Sequence, residues 1–133
     1  MMQTLQPPGW ARPKGFANGI AARGRLVFIA GQVGWTGQGE WRESAFAGQF
    51  RQALRNILDV LAEAGGKPEH LVRLTWYVLD KKEYLACLRE VGAAYRELMG
   101  RHYPTMAVVQ VSGLVEDEAR LEIEATAVIP EET

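Results

Sequence analysis

From residue 45 to residue 64, apolar side chains recur at steps of three and four: Phe46, Phe50, Ala53, Leu54, Ile57, Leu58 and Leu61. That spacing puts a single stripe on a long helix. Ser44 is its expected N-cap and Gly65 with Gly66 its stop. Glu43, Arg51, Arg55 and Glu63 fall outside the stripe and read as a solvated face. A second stripe of Tyr84, Leu88, Val91, Tyr95 and Leu98 predicts another helix, capped by Asp80 and ended by Gly100, with Cys87 beside the stripe.

The segments between read as strands. Residues 71–79 are rich in Val, Leu, Thr, Trp and Tyr and hold no Gly or Pro. One side of this strand, Val72, Leu74, Trp76 and Val78, is apolar. The other, Leu71, Arg73, Thr75, Tyr77 and Leu79, is mixed, as a subunit interface often is. Residues 20–22 and 26–31 flank Arg23-Gly24-Arg25, predicting a short strand, a tight turn and a buried central strand. Pro104 stops any preceding helix and favours an extended Tyr103, so a strand carrying Val108, Val109 and Val111 is expected from about Met106. After an acidic turn at 115–120, Leu121, Ile123, Ala125, Ala127 and Ile129 alternate with Glu122, Glu124 and Thr126. These last two strands read as a hairpin with a carboxylate on its polar face. The order β-β-α-β-α-β-β implies an α+β protomer of two layers, a mixed sheet with two helices on one face.

Composition adds limits. At 133 residues and 47% hydrophobic, the chain is sized for one domain, 1–133, with its own core. Residues 1–14, with Pro7, Pro8, Gly9 and Pro13, read as an irregular lead-in. Trp10 within it either covers an edge of the core or makes a subunit contact. Fifteen Lys and Arg against sixteen Asp and Glu leave no surplus for a polyanion, so nucleic acid is not an expected partner. No apolar run approaches the roughly 20 residues that span a bilayer. The first residues lack the basic start and apolar core of a secretory signal, so the expected location is cytoplasmic, with no membrane association.

Candidate chemistry is sparse. The loop after the second strand, 31–41, holds four glycines, Trp35 and Trp41, but neither phosphate-binding fingerprint. Trp35 reads as a packed aromatic or as a pocket wall. Cys87, the single cysteine, reads as a small buried hydrophobe, and His70 and His102 have no second ligand at metal spacing. No metal site is expected.

The run Tyr103-Pro104-Thr105-Met106-Ala107-Val108-Val109-Gln110-Val111, followed by Leu121-Glu122-Ile123-Glu124-Ala125-Thr126-Ala127, resembles the closing motif of the RidA/YjgF family. There, Pro-x-Arg-Ser-x-Val leads to a strand of the form Val-Glu-Ile-Glu-Ala. The likeness extends upstream to Phe28-Ile29-Ala30-Gly31-Gln32-Val33, Gln52 to Ile57, Ala64-Gly65-Gly66 and Leu74 to Asp80, covering nearly the whole chain from Lys14 onward. It implies a chorismate-mutase-like protomer, assembled as a homotrimer with small-molecule clefts between subunits. The implied chemistry is hydrolysis of a reactive enamine or imine, such as 2-aminoacrylate, to a keto acid and ammonia without a metal or organic cofactor.

Carried over position by position, the resemblance implies that Glu122 handles the attacking water. Gly31 becomes the close-approach glycine. The arginine that grips the substrate carboxylate falls on Met106, the pocket tyrosine on Phe16, the serine before the glycine on Ala30, and a helix asparagine on Arg89. Phe16, Ala30, Trp35 and Met106 would make an apolar lining. Losing the guanidinium-carboxylate pair costs roughly 2 to 5 kcal/mol, enough to remove most affinity for a small anionic imino acid. The implied function is therefore deamination of an enamine or imine other than 2-aminoacrylate, larger and less polar or aromatic-derived. Some members act on 2-aminomuconate. The alternatives are a non-catalytic trimer that binds a small apolar ligand and, disfavoured by the balanced charge, a ribonuclease or translation inhibitor.

Overall fold

The computed structural model of the chain describes residues 2–131. In order it contains strands β1 (Met2–Leu5), β2 (Gly19–Ala22) and β3 (Arg25–Val33), helix α1 (Phe46–Glu63), a 3-10 turn (Pro68–His70), strand β4 (Leu71–Val78), helices α2 (Lys81–Ala86) and α3 (Leu88–Met99), and strands β5 (Thr105–Gln110) and β6 (Leu121–Ile129). Four strands form one mixed sheet in the order β3-β6-β4-β5, in which β6 is antiparallel to both neighbours and β5 is parallel to β4. The helices pack on one face, giving the expected two-layer α+β protomer of the chorismate-mutase-like type.

Burial follows the sheet's period of two. Leu121, Ile123, Ala125 and Ala127 of β6, Leu74, Trp76 and Val78 of β4, and Ile29 of β3 join one core with Phe46, Phe50, Ala53, Leu54, Ile57 and Leu61 of α1. Phe50 lies over Trp76, with ring centroids 4.7 Å apart. The predicted α1 stripe is thus the buried face. Its cap differs: the helix starts after Ala45, with no side-chain cap, and Ser44 lies outside it. Asp80 does cap α2, accepting from Lys82 N at 2.9 Å, and Gly100 ends α3 at a φ of 64°.

Five expectations need correction. β5 and β6 are not a hairpin: β6 lies between β3 and β4, and the ten-residue connection steps over β4 to reach that slot. Because β6 has one fully apolar side, burial is greatest in the sheet interior, while β5 is satisfied at the edge. β3 is likewise an edge strand rather than a central one, and its outer side leaves Phe28 74% exposed. Residues 2–5 of the supposed lead-in form β1, paired antiparallel with β2. The ribbon is mostly exposed and none of its residues joins the core, so no hydrophobic pattern announces it. The second helix is broken at Cys87, whose φ of −127° is not helical and whose Sγ donates to Glu83 O at 3.2 Å. The break lets Tyr84 contact Phe46 and Trp76 while Val91, Ala94, Tyr95 and Met99 stay buried further along. Trp10 covers no core; it is 62% exposed.

Two buried amides on α1 tie the layers together. Gln49 donates to Glu43 O (3.1 Å) and Glu118 O (2.9 Å) and accepts from Arg120 N (2.7 Å), fixing the approach to β6. Asn56 donates to Val33 O (3.2 Å) and Trp35 O (2.7 Å), fixing the exit from β3. Neither amide belongs to the apolar stripe, yet both are buried. Replacing Gln49 by Leu strands one backbone N–H and two carbonyls, and the expected cost is about 2 to 4 kcal/mol of stability. Denaturant unfolding of Gln49→Leu beside the parent measures it, and a change below about 0.5 kcal/mol, the usual range for an unimportant surface site, would contradict this role.

Candidate functional site

A pocket of ≈ 420 Å³ opens where β5 meets α2 and α3. Register decides what faces it. Met106 pairs with Leu74 and Val108 with Trp76, so both point to the helix side of the sheet. There they meet Tyr84, Leu88, Val91, Gly92, Tyr95 and Tyr103. Phe16 arrives from the N-terminal segment because Ala17 N donates to Pro104 O at 3.1 Å, beside the start of β5. Met106 and Phe16, which the resemblance sets at its arginine and tyrosine positions, therefore share one wall.

The aromatic wall is held in place. Tyr95 and Tyr103 stack with centroids 5.2 Å apart and planes 7° from parallel. The Tyr95 hydroxyl donates to His102 O at 2.5 Å, and His102 Nε2 lies 2.7 Å from Leu71 O. Burial, and then the neighbouring Tyr103, push the Tyr95 phenol well above its ordinary range, so it stays neutral. Trp76 Nε1 is buried without a hydrogen-bond partner among the described residues.

Glu122 is elsewhere in the protomer. It pairs with Tyr77, and Glu124 with Thr75, on the side of the sheet away from the helices. The two carboxylates differ. Glu124 accepts from the Tyr77 hydroxyl at 2.5 Å, a bond that raises the phenol's pKa ahead of its desolvation and the charges of Glu124 and Glu122. Glu122 has no hydrogen-bonding or ionic partner among the described residues. Opposite it, β3 carries one extra residue: Ile29 pairs with Ala125 but Gln32 with Ile123, placing a bulge at Ala30 and Gly31. The Gly31 Cα lies so near the Glu122 carboxylate that a Cβ there would collide with Oε2. What approaches Gly31 closely is thus the candidate water-handling group itself.

The remaining candidates lie apart. Trp35 sits with Gln32, Asn56 and Asp59 in a separate depression and contacts Trp41 at 5.7 Å. Arg89, in the first turn of α3, is exposed and is not among the residues lining the Met106 pocket. The cations that do line it are Lys14 and Arg96. The overlooked signal was Gly92, an interior helix glycine one turn before Arg96; such a glycine implies a close approach. Cys87 is half-buried, and burial, then Glu90 and Glu83, push its thiol up, away from the thiolate. Among the described residues no group of three or more His, Cys, Asp or Glu gathers as metal ligands, and no helix is long and apolar enough to cross a membrane.

A two-layer protomer with an aromatic pocket at β5 and a bulge-supported glutamate on β6 defines a class, and comparison with known proteins places it. Residues 11–129 match the family model described as Endoribonuclease L-PSP. A RutC family protein of Pyrococcus horikoshii is 35% identical over 105 residues, covering 78% of this chain and 79% of that one. A human protein named 2-iminobutanoate/2-iminopropanoate deaminase is 29% identical over 105 residues, covering 78% and 73%. The crystal structure of a Yersinia pestis protein of unknown function from the conserved Rid family superposes with a TM-score of 0.82 at 31% identity, covering 96% of this chain and 98% of that one. The chain belongs to the RidA/YjgF family.

The two tight glycines make a contrast. In Gly31→Ala the new methyl meets only the movable end of Glu122, so stability should change by less than about 1 kcal/mol while the carboxylate swings off the bulge. In Gly34→Ala it meets Gln49 Cβ at 2.6 Å and Cα at 2.7 Å, and stability should fall by several times as much. Thermal unfolding of both variants and a crystal structure of Gly31→Ala check this; an unmoved Glu122 would refute the close approach.

Proposed function

We propose that this protein hydrolyses a reactive enamine or imine, other than 2-aminoacrylate, to a carbonyl compound and ammonia, acting as a cytoplasmic homotrimer. The carrying observation is the Glu122 carboxylate, without a partner among the described residues, set against the Gly31 bulge. The human relative's name, a deaminase of 2-imino acids, supports the reaction type. Glu122 takes a proton from water as the C–O bond forms at the imine carbon and the C=N electron pair moves to nitrogen. The carboxyl returns that proton to nitrogen, giving the carbinolamine. The carboxylate then accepts the hydroxyl proton and passes it to the same nitrogen, so that the C–N bond breaks, ammonia leaves and the C=O forms.

A trimer supplies what one copy lacks. Within a protomer, Glu122 and the Met106 pocket lie on opposite sides of the sheet, so a carboxylate from one copy has to complete the pocket of the next. The helix-free side of the sheet, with Phe28 74%, Leu26 58% and Val109 42% exposed, offers an apolar surface for that assembly. Met106 in place of a guanidinium argues against small anionic substrates. A nuclease role has less support, since 15 basic residues face 16 acidic ones.

The test is ammonia release from aliphatic and aryl-bearing imines generated in situ, with light scattering of the same sample. Turnover of an aryl-bearing imine well above that of 2-aminoacrylate is expected, with Glu122→Gln reducing it by about 10²-fold or more, as for loss of a general base. Unchanged turnover in Glu122→Gln, or a 14.8 kDa monomer at micromolar concentration, would defeat the proposal.

A further inference from the structure

We propose that the pocket's anion-binding function is carried by Arg96 of α3, with Lys14 opposite, and that its ligand is a carboxylate with a flat aromatic body. This rests on the deaminase reading only for what happens after binding. The lining contains two cations and no carboxylate. It also contains five aromatic rings, Phe16, Trp76, Tyr84, Tyr95 and Tyr103. An apolar slot with a few convergent charges is the usual form of a small-molecule site, and ≈ 420 Å³ is within its usual size.

Arg96 is arranged to face this slot. A Cβ at Gly92, one helical turn earlier, would lie 3.3 Å from an Arg96 guanidinium nitrogen, so the side chain runs back over the bare helix at the pocket wall. Glu97, next to Arg96 in sequence, pairs with Arg51 instead. Neither the Arg96 guanidinium nor the Lys14 ammonium has a hydrogen-bonding or ionic partner among the described residues. An unpaired guanidinium at the mouth of an aromatic slot suits a planar carboxylate by forked hydrogen bonds. Met106 and Val108, on the strand below, leave room for an apolar body where a strand-borne arginine would stand. The position of the charge, on the helix instead of the strand, selects a longer ligand: its carboxylate sits at the rim and its ring lies inward.

Phenylpyruvate, a stable aryl keto acid, serves as the probe, titrated by calorimetry into the full chain alongside pyruvate and the methyl ester of phenylpyruvate. Phenylpyruvate is expected to bind more tightly than either. Arg96→Gln should weaken it by about tenfold or more, as for loss of a charge-assisted pair. Lys14→Gln should weaken it less, Arg96→Lys should recover part of the loss, and Arg89→Gln should leave it unchanged. Melting temperatures equal to the parent's confirm that the exposed Arg96 is not a folding residue. Equal affinity for acid and ester, or an Arg96→Gln constant within twofold of the parent, would overturn the proposal. Arg96-dependent binding without ammonia release from any imine would keep it and overturn the deaminase reading instead.

Discussion

The fold depends on β6 being two-faced and central. Its Leu121, Ile123, Ala125 and Ala127 side chains must lie under α1, because leaving four such residues in water would forgo several kcal/mol. A strand's period of two then sends Glu122 and Glu124 to the other side with no further instruction. β3 and β4 on either edge satisfy the backbone of β6, leaving no slack for slippage. The position of the candidate catalytic carboxylate is thus a by-product of core packing.

The buried amides extend that constraint to the ends of the strands. Gln49 holds the segment entering β6, and Asn56 holds the segment leaving β3. Between those two anchors lie Glu122 and the Gly31 bulge. A bulge there bends the edge strand and lets glycine backbone, with no side chain of its own, come up to the carboxylate. Rigid support around one free acid is what a proton-transfer group needs, whereas Glu124, bonded to Tyr77, is committed to its neighbour.

The pocket follows a different logic. Its wall is aromatic because Trp76, Tyr84 and Tyr95 are core residues reached from one side, and the break at Cys87 keeps Tyr84 against that core while Leu88 turns outward, 49% exposed. Met106 leaves the pocket floor uncharged, and Arg96 and Lys14 leave charge at its rim.

Helix stripes, the alternation of β6 and the two-layer class were readable from the sequence because each is a local periodicity imposed by burial. Phe16, Gly31, Met106 and Glu122 came instead from the resemblance of their motifs to the family's, and three of them, Gly31, Met106 and Glu122, lie on strands β3, β5 and β6. Strand order was not readable. Nothing local says whether a strand after a turn pairs with its predecessor or crosses it, and that choice made β6 central and β3 an edge. Nor did spacing alone distinguish Arg89 from Arg96, since both lie on α3. Only the break at Cys87, Gly92 and the approach of β5 decide which arginine meets the pocket. Periodicity tells a residue which side of its own element it occupies; what lies across from that side is set by the contacts among elements.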